Sequence, residues 1–206
     1  EGRRAQFVSD VRAAEGVDEE AAAGIVDAAV DRWVWYAGWT DKLASVLGSA
    51  NPIAGPYFGF SIPDSTGVVV AVAPQESSLL GLVSVVAPAL VSGNAVIVVA
   101  STRRPLPAIT LSEVLATSDV PAGAVNILTG EAAEIMPWLA SHADVNALDL
   151  AGVDDAALAA ELERAAADTI TRVRRPEPEA DWTADPGLGR LRSFIETKSV
   201  WHPKGT

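Results

Sequence analysis

The stretch "APALVSGNAVIVVASTRRPLPAI" at residues 87–109 predicts the end of a helix, a tight Gly-Asn turn, a buried strand and the start of another helix. A similar strand, "GVVVAVAP" at 67–74, precedes the first of these helices, and "AVNILTG" at 124–130 follows the second. The series continues through a helix near 131–141 and a short strand, "NALDLAG", at 146–152. Alternation of this kind predicts an α/β fold, with a parallel sheet and helices on both of its faces.

Three segments outside this alternation predict extensions of the core. Residues 17–47 carry apolar residues at helical spacing and predict one long helix or two in series, with Asp18 as the cap and Gly48 as the stop. Residues 50–66 predict an extended connector, and the Pro- and Gly-rich residues 174–189 predict a linker or surface loop. The tail ends in a predicted strand, which must pair with a sheet edge in this chain or in another.

Composition excludes several classes of function. A net charge of −12 argues against nucleic-acid binding, because a phosphate backbone favours clustered Lys and Arg. No apolar run reaches the roughly 18–20 residues of a membrane span and the first residues lack a signal-peptide core, so we expect a cytoplasmic protein. The absence of cysteine removes thiolate chemistry, and His142 and His202 are too far apart in sequence for ligand spacing, so we expect no metal.

Six separated motifs resemble the aldehyde dehydrogenase superfamily, in the family's order. They are "YAGWTDK" (36–42), "GVVVAVAP" (67–74), "APALVSGNAVIV" (87–98), "PLPAITLSEVLATSDVPAGAVNILTG" (105–130), "HADVNALDLAG" (142–152) and the tail "FIETKSVWHP" (194–203). The resemblance implies a Rossmann-like nucleotide-binding domain over 1–173, the linker at 174–189 and a C-terminal oligomerisation arm at 190–206. The family's cysteine-bearing catalytic domain is missing between them.

The residues that catalyse the family's reaction are absent from this sequence. Members oxidise aldehydes with NAD(P) through a cysteine thiolate, a glutamate base and an amide that stabilises the oxyanion. The segment that would carry the cysteine is missing, and "RRPEPE" (174–179) replaces the signature that holds the base. The family's Pro-Trp-Asn corresponds to Pro74, Gln75 and Glu76, which puts a carboxylate where negative charge must develop. The resemblance therefore implies no catalytic residue in this chain.

The resemblance also implies weak or vestigial NAD(P) binding. The family's Lys-Pro-Ser-Glu, which binds the adenosine ribose, corresponds to "VAST" at 99–102. The candidate cofactor contacts that remain are Pro74, Ser101 and Gly152, although the strand-to-helix turn by itself explains Gly152. Arg103 and Arg104 could bind a phosphate, but a solvated helix entry before Pro105 is the simpler interpretation.

These observations predict a non-catalytic subunit, or pseudoenzyme. We expect it to assemble with itself or with a full-length catalytic relative through residues 50–66 and 190–203. One alternative is an NAD(P)-binding regulatory domain. Another is an oxidoreductase that acts on aldehydes only with a partner's active site.

Overall fold

The computed structural model describes residues 2–177 and 179–205. Its helices are α1 (Arg4–Glu15), α2 (Glu19–Ala37), α3 (Leu43–Leu47), α4 (Leu80–Val91), α5 (Leu106–Ala116), α6 (Ala132–Ala140), α7 (Ala156–Asp168) and α8 (Gly189–Ser193). Its strands are β1 (Ser49–Asn51), β2 (Tyr57–Ser65), β3 (Val68–Val72), β4 (Ala95–Val99), β5 (Val125–Leu128), β6 (Ala147–Asp149), β7 (Arg172–Arg174) and β8 (Ile195–Pro203).

The predicted parallel sheet is confirmed. Five strands lie in the order β5-β4-β3-β6-β7, and each neighbouring pair is parallel. On the central strand β3, Val69 and Ala71 face a core that includes α1, α2, α4 and α5, whereas Val70 and Val72 face a core that includes α6 and α7. Both faces are therefore covered, which explains why β3 is apolar along its whole length.

The Gly-Asn turn before β4 joins three parts of the core. Gly93 has φ +89°, a conformation that favours glycine. The buried Asn94 accepts a hydrogen bond from the Gly67 N–H at 2.7 Å and donates to the carbonyls of Ala89 and Phe194. The turn thus links the start of β3, the end of α4 and the residue that precedes β8.

The predicted helical region at 17–47 forms two helices, α2 and α3. The Asp18 carboxylate accepts a hydrogen bond from the Ala21 N–H at 2.8 Å, so the predicted cap is confirmed. A turn from Gly38 separates the two helices, and Gly48 follows the last residue of α3.

A second sheet forms from β1, β2 and β8, which lie at or next to the predicted connector and in the predicted arm. Its strand order is β1-β2-β8, and β2 pairs with β8 in antiparallel register from Tyr57–Pro203 to Ser65–Ile195. The C-terminal strand therefore pairs within its own chain, and β8 forms one edge of this sheet. The sequence assigns residues 190–194 to the arm, but they do not join the second sheet. They pack on the main core instead, where Leu191 and Phe194 are buried.

Polar anchors hold the Pro- and Gly-rich segment 174–189 against the core. Arg32 on α2 donates to the carbonyls of Trp182 and Ala184, both at 2.9 Å. Arg190 forms ion pairs with Asp149 and with Glu177, and its guanidinium lies 5.2 Å from the Trp182 ring centroid. The Asp149 side chain is completely buried, and Arg190 is the only cation among the described residues that pairs with it.

We expect Arg190→Met to lower the free energy of unfolding by about 3–5 kcal/mol, because it leaves Asp149 buried without a cation. Urea unfolding checks this, with Arg175→Met as the control, because its exposed pair with Glu163 is worth about 0–1 kcal/mol. The double variant Asp149→Leu/Arg190→Met should recover much of the loss. Equal losses of unfolding free energy in Arg190→Met and Arg175→Met would contradict the prediction.

Candidate functional site

The candidate site is the crevice at the carboxyl ends of β3 and β6. The chain proceeds from β3 outward to β4 and β5 on one side, and to β6 and β7 on the other. In open α/β sheets, ligands bind where the strand order reverses in this way. The loop after β3 (73–79), the loop after β4 (100–105) and the loop after β6 (150–155) surround this crevice.

Pro74 and Ser101, two of the predicted cofactor contacts, lie at this edge of the sheet, and both are buried. The Ser101 hydroxyl donates to the Gln75 carbonyl at 3.0 Å and accepts from the Arg104 N–H at 3.1 Å. Its hydrogen-bonding capacity is therefore used to hold the loops after β3 and β4 together.

Gly152, the third predicted contact, lies where two backbone segments cross. Its N–H donates to the Val72 carbonyl at 3.0 Å, so this donor is not directed at the crevice. A Cβ at this position would lie 1.9 Å from the Ala73 carbonyl oxygen. This close approach supports the structural explanation of the glycine, a turn from β6 toward α7 that has no room for a side chain.

An ionic cluster lies across the crevice. Glu76 pairs with Arg103 and with Arg104, each at 2.5 Å, and Arg103 lies 3.9 Å from Asp154 of the loop after β6. The two arginines that the sequence offered as phosphate ligands are thus already paired with carboxylates. An incoming phosphate would have to compete with Glu76 for both.

Carboxylates also occupy the starts of the two helices beside the crevice. Glu15 on α1 accepts hydrogen bonds from the N–H and the hydroxyl of Ser78, both at 2.7 Å, just before α4. Asp155 caps α7 by accepting from the Ala157 N–H at 2.8 Å. Helix N-termini favour anions, and here the chain itself supplies the anion at both.

Two serines, Ser77 and Ser78, lie just before α4 and make different contacts. The Ser77 hydroxyl accepts a hydrogen bond from the Gly81 N–H at 2.9 Å. Ser78 instead donates its hydroxyl to Glu15, which lies 63 residues earlier in the chain. Sequence analysis missed Glu15 because no local pattern connects an acidic residue at the end of α1 to the start of α4.

Two further properties apply to the described residues. Within 2–177 and 179–205, no three His, Cys, Asp or Glu side chains are grouped so that they could hold a metal ion. In the same part of the chain, no helix combines the length and the apolar character needed to cross a bilayer.

Comparison with known proteins identifies the family. A model of the aldehyde dehydrogenase family matches residues 2–174. The chain belongs to the aldehyde dehydrogenase family. It is 32% identical over 118 residues to retinal dehydrogenase 2 of Taeniopygia guttata, and 33% identical over 118 residues to the mitochondrial aldehyde dehydrogenase of Sus scrofa. Each match covers 57% of this chain and 22% of the relative.

A solved aldehyde dehydrogenase structure shows the same architecture. The enzyme from Brucella melitensis biovar abortus 2308 superposes with a TM-score of 0.76 at 25% identity, over 84% of this chain and 35% of that one. The chain thus spans about a quarter to a third of the length of such relatives. The residues from 175 onward, which include Arg190 and its partner Glu177, lie beyond the family match.

We expect Gly152→Ala to lower the free energy of unfolding by about 1–3 kcal/mol, since its methyl group would overlap the Ala73 carbonyl. Gly24→Ala is the matched control, because Gly24 is exposed within α2 and a Cβ there meets nothing within 4 Å. Helix propensity predicts that this control gains about 1 kcal/mol. Unchanged stability of Gly152→Ala in denaturant unfolding would exclude the steric explanation.

Proposed function

We propose that this chain is a non-catalytic subunit of the aldehyde dehydrogenase family that assembles with itself or with a full-length catalytic relative. The observation that carries the proposal is the excess of carboxylates over cations around the crevice. Where the fold favours an anionic cofactor, Glu15, Glu76, Asp154 and Asp155 contribute four carboxylates against the two guanidinium groups of Arg103 and Arg104.

The chain offers no replacement for the family's nucleophile and base. It contains no cysteine, and the hydroxyls of Ser77, Ser78 and Ser101 beside the crevice are engaged in hydrogen bonds within the protein. His142 lies before β6, at the opposite edge of the sheet from the crevice, and His202 lies on β8 in the second sheet. A serine nucleophile needs an adjacent base, and neither histidine is placed to act as one.

The crevice also disfavours the cofactor. A dinucleotide pyrophosphate binds where helix N–H groups and positive charge are available. Here those positions are taken by the protein's own carboxylates, and β4 ends in Val99 and is followed by Ala100 rather than by a cation. We therefore propose that NAD(P) binding is weak or vestigial. A nucleotide complex has been solved for an aldehyde dehydrogenase from Bacillus cereus, which shares the fold of this chain at 22% identity.

The second sheet supports assembly. Strand β8 forms an edge nine residues long, and Phe58 and Trp201 on the paired strands are more than half exposed. A long edge strand with exposed aromatic side chains is a template for pairing with another chain. We therefore propose that a partner pairs with this sheet, through the strands Tyr57–Ser65 and Ile195–Pro203 that lie within the segments 50–66 and 190–203.

Calorimetry tests the cofactor half of the proposal. We expect no saturable heat when NAD or NADP is titrated to millimolar concentration, because the cofactor's phosphates meet carboxylates at both helix starts. The same protein should form no reduced cofactor with an aldehyde present. Saturable binding without turnover would favour the alternative of an NAD(P)-binding regulatory domain, and turnover by the isolated chain would exclude a non-catalytic role.

Native mass spectrometry of the protein purified gently from its own cells tests the assembly half. We expect a homo-oligomer, or a complex with a larger dehydrogenase that supplies the cysteine. Trp201→Lys should weaken the assembly by placing a charge on the second sheet. Trp138→Lys, which changes a 79% exposed residue on α6, should leave it intact. A monomer under all conditions would contradict the proposal.

A further inference from the structure

A polar cavity of about 240 Å³ lies between the α2–α4 layer and the segment beyond β7. Its inner wall includes Arg32, Tyr36 and Ser84, and its outer wall includes Asp181, Trp182 and Asp185. The outer wall lies beyond residue 174, where the family match ends. The cavity is therefore closed by residues that lie beyond the family match, and it is separate from the crevice at the carboxyl ends of the strands.

Two buried polar side chains on the inner wall have capacity to bind. Tyr36 is 2% exposed and lines the cavity, and its hydroxyl makes no hydrogen bond with the described residues. Arg32 is 9% exposed and donates to the Ser84 hydroxyl at 3.0 Å and to two carbonyls, but no carboxylate of residues 2–177 or 179–205 lies within 4.0 Å of it. The Tyr36 hydroxyl is thus available to a ligand, and Arg32 carries a charge without a counter-ion.

Most of the charged side chains that act on the Tyr36 hydroxyl are guanidinium groups. Arg190, Arg32 and Arg174 all favour a negative charge there, and Asp149 opposes it. Burial nevertheless raises the pKa of Tyr36, so the phenol keeps its proton at neutral pH and can donate a hydrogen bond. Arg174 and Arg190 already pair with Glu177, which leaves Arg32 as the uncompensated cation of the inner wall.

The rim of the cavity carries the opposite charge. Asp181 and Asp185 are exposed, and neither pairs with a cation among the described residues. Hydrogen bonds from the hydroxyl and N–H of Thr183 hold the pKa of Asp181 below its usual value, so it remains ionised. Glu177, which also lines the cavity, is paired with Arg174 and Arg190. The groups of the lining without an ionic partner among the described residues are thus Arg32 on the inner wall and the two carboxylates of Asp181 and Asp185 on the outer wall.

We propose that this cavity binds a small zwitterion, of the size of a small α-amino acid. Its carboxylate would accept hydrogen bonds from Arg32 and the Tyr36 hydroxyl, and its ammonium group would face Asp181 and Asp185. The volume equals that of about eight water molecules at roughly 30 Å³ each, which accommodates such a molecule. A simple anion would be repelled at the rim, and a simple cation would meet Arg32 inside. This inference does not depend on the proposed function.

Three matched probes test the charge arrangement. The full-length chain is titrated by NMR at neutral pH and constant ionic strength with L-alanine, with propionate, which lacks the ammonium group, and with ethylamine, which lacks the carboxylate. We expect saturable binding of alanine, at least tenfold tighter than that of either single-charge probe. Absence of saturable alanine binding, or equal affinity for propionate, would overturn the proposal.

Two tyrosine variants locate the site. Tyr36→Phe should weaken alanine binding about fivefold, which corresponds to one hydrogen bond of about 1 kcal/mol. Tyr57→Phe, on the second sheet, should leave the affinity unchanged. Arg32→Met should abolish binding, and circular dichroism shows whether that variant remains folded. Because Tyr36→Phe removes one oxygen atom and no packing volume, it tests the site even if Arg32→Met unfolds. An equal response of the two tyrosine variants would place binding elsewhere and overturn the proposal.

Discussion

The buried ion pair between Asp149 and Arg190 is the interaction on which the rest of this structure depends. Asp149 lies at the carboxyl end of β6, inside the central sheet, and its side chain has no exposure to water. An isolated carboxylate in such a position costs several kcal/mol. Arg190 removes that cost only if the chain beyond β7 folds back over the sheet. The pair therefore couples the core of the sheet to a segment that lies beyond the family match.

That coupling explains how residues that match only 22–35% of the length of the compared relatives form a closed core. Arg190 brings α8 into place, so that Leu191 and Phe194 fill the layer beside α4. Phe194 then accepts a hydrogen bond from Asn94 at the Gly-Asn turn and leads directly into β8. The same segment forms the outer wall of the polar cavity. A short stretch of chain thus closes the fold, begins the second sheet and forms a candidate binding site.

The crevice at the carboxyl ends of the strands is closed by contacts within the protein. The geometry that attracts anions in α/β proteins is present, since two helices start beside the reversal of strand order. Glu15 and Asp155 satisfy the helix starts, and Glu76 pairs with both nearby arginines. These contacts stabilise the protein without a cofactor. They are also the basis of the proposal that a pyrophosphate binds weakly here, because displaced carboxylates would remain nearby.

The sequence by itself determined the family, the parallel sheet and the Asp18 cap. Each of these depends on local patterning or on motifs of contiguous residues, which can be recognised without knowledge of distant contacts. Only the tertiary structure decided the partners of Asp149, Glu15 and Arg32, because these charged residues are separated from their partners by 41, 63 and at least 52 positions. Pairing over such distances leaves no periodic signal. It is selected by the packing of α1, α2 and the C-terminal segment around the sheet, where burial makes an unpaired charge too costly.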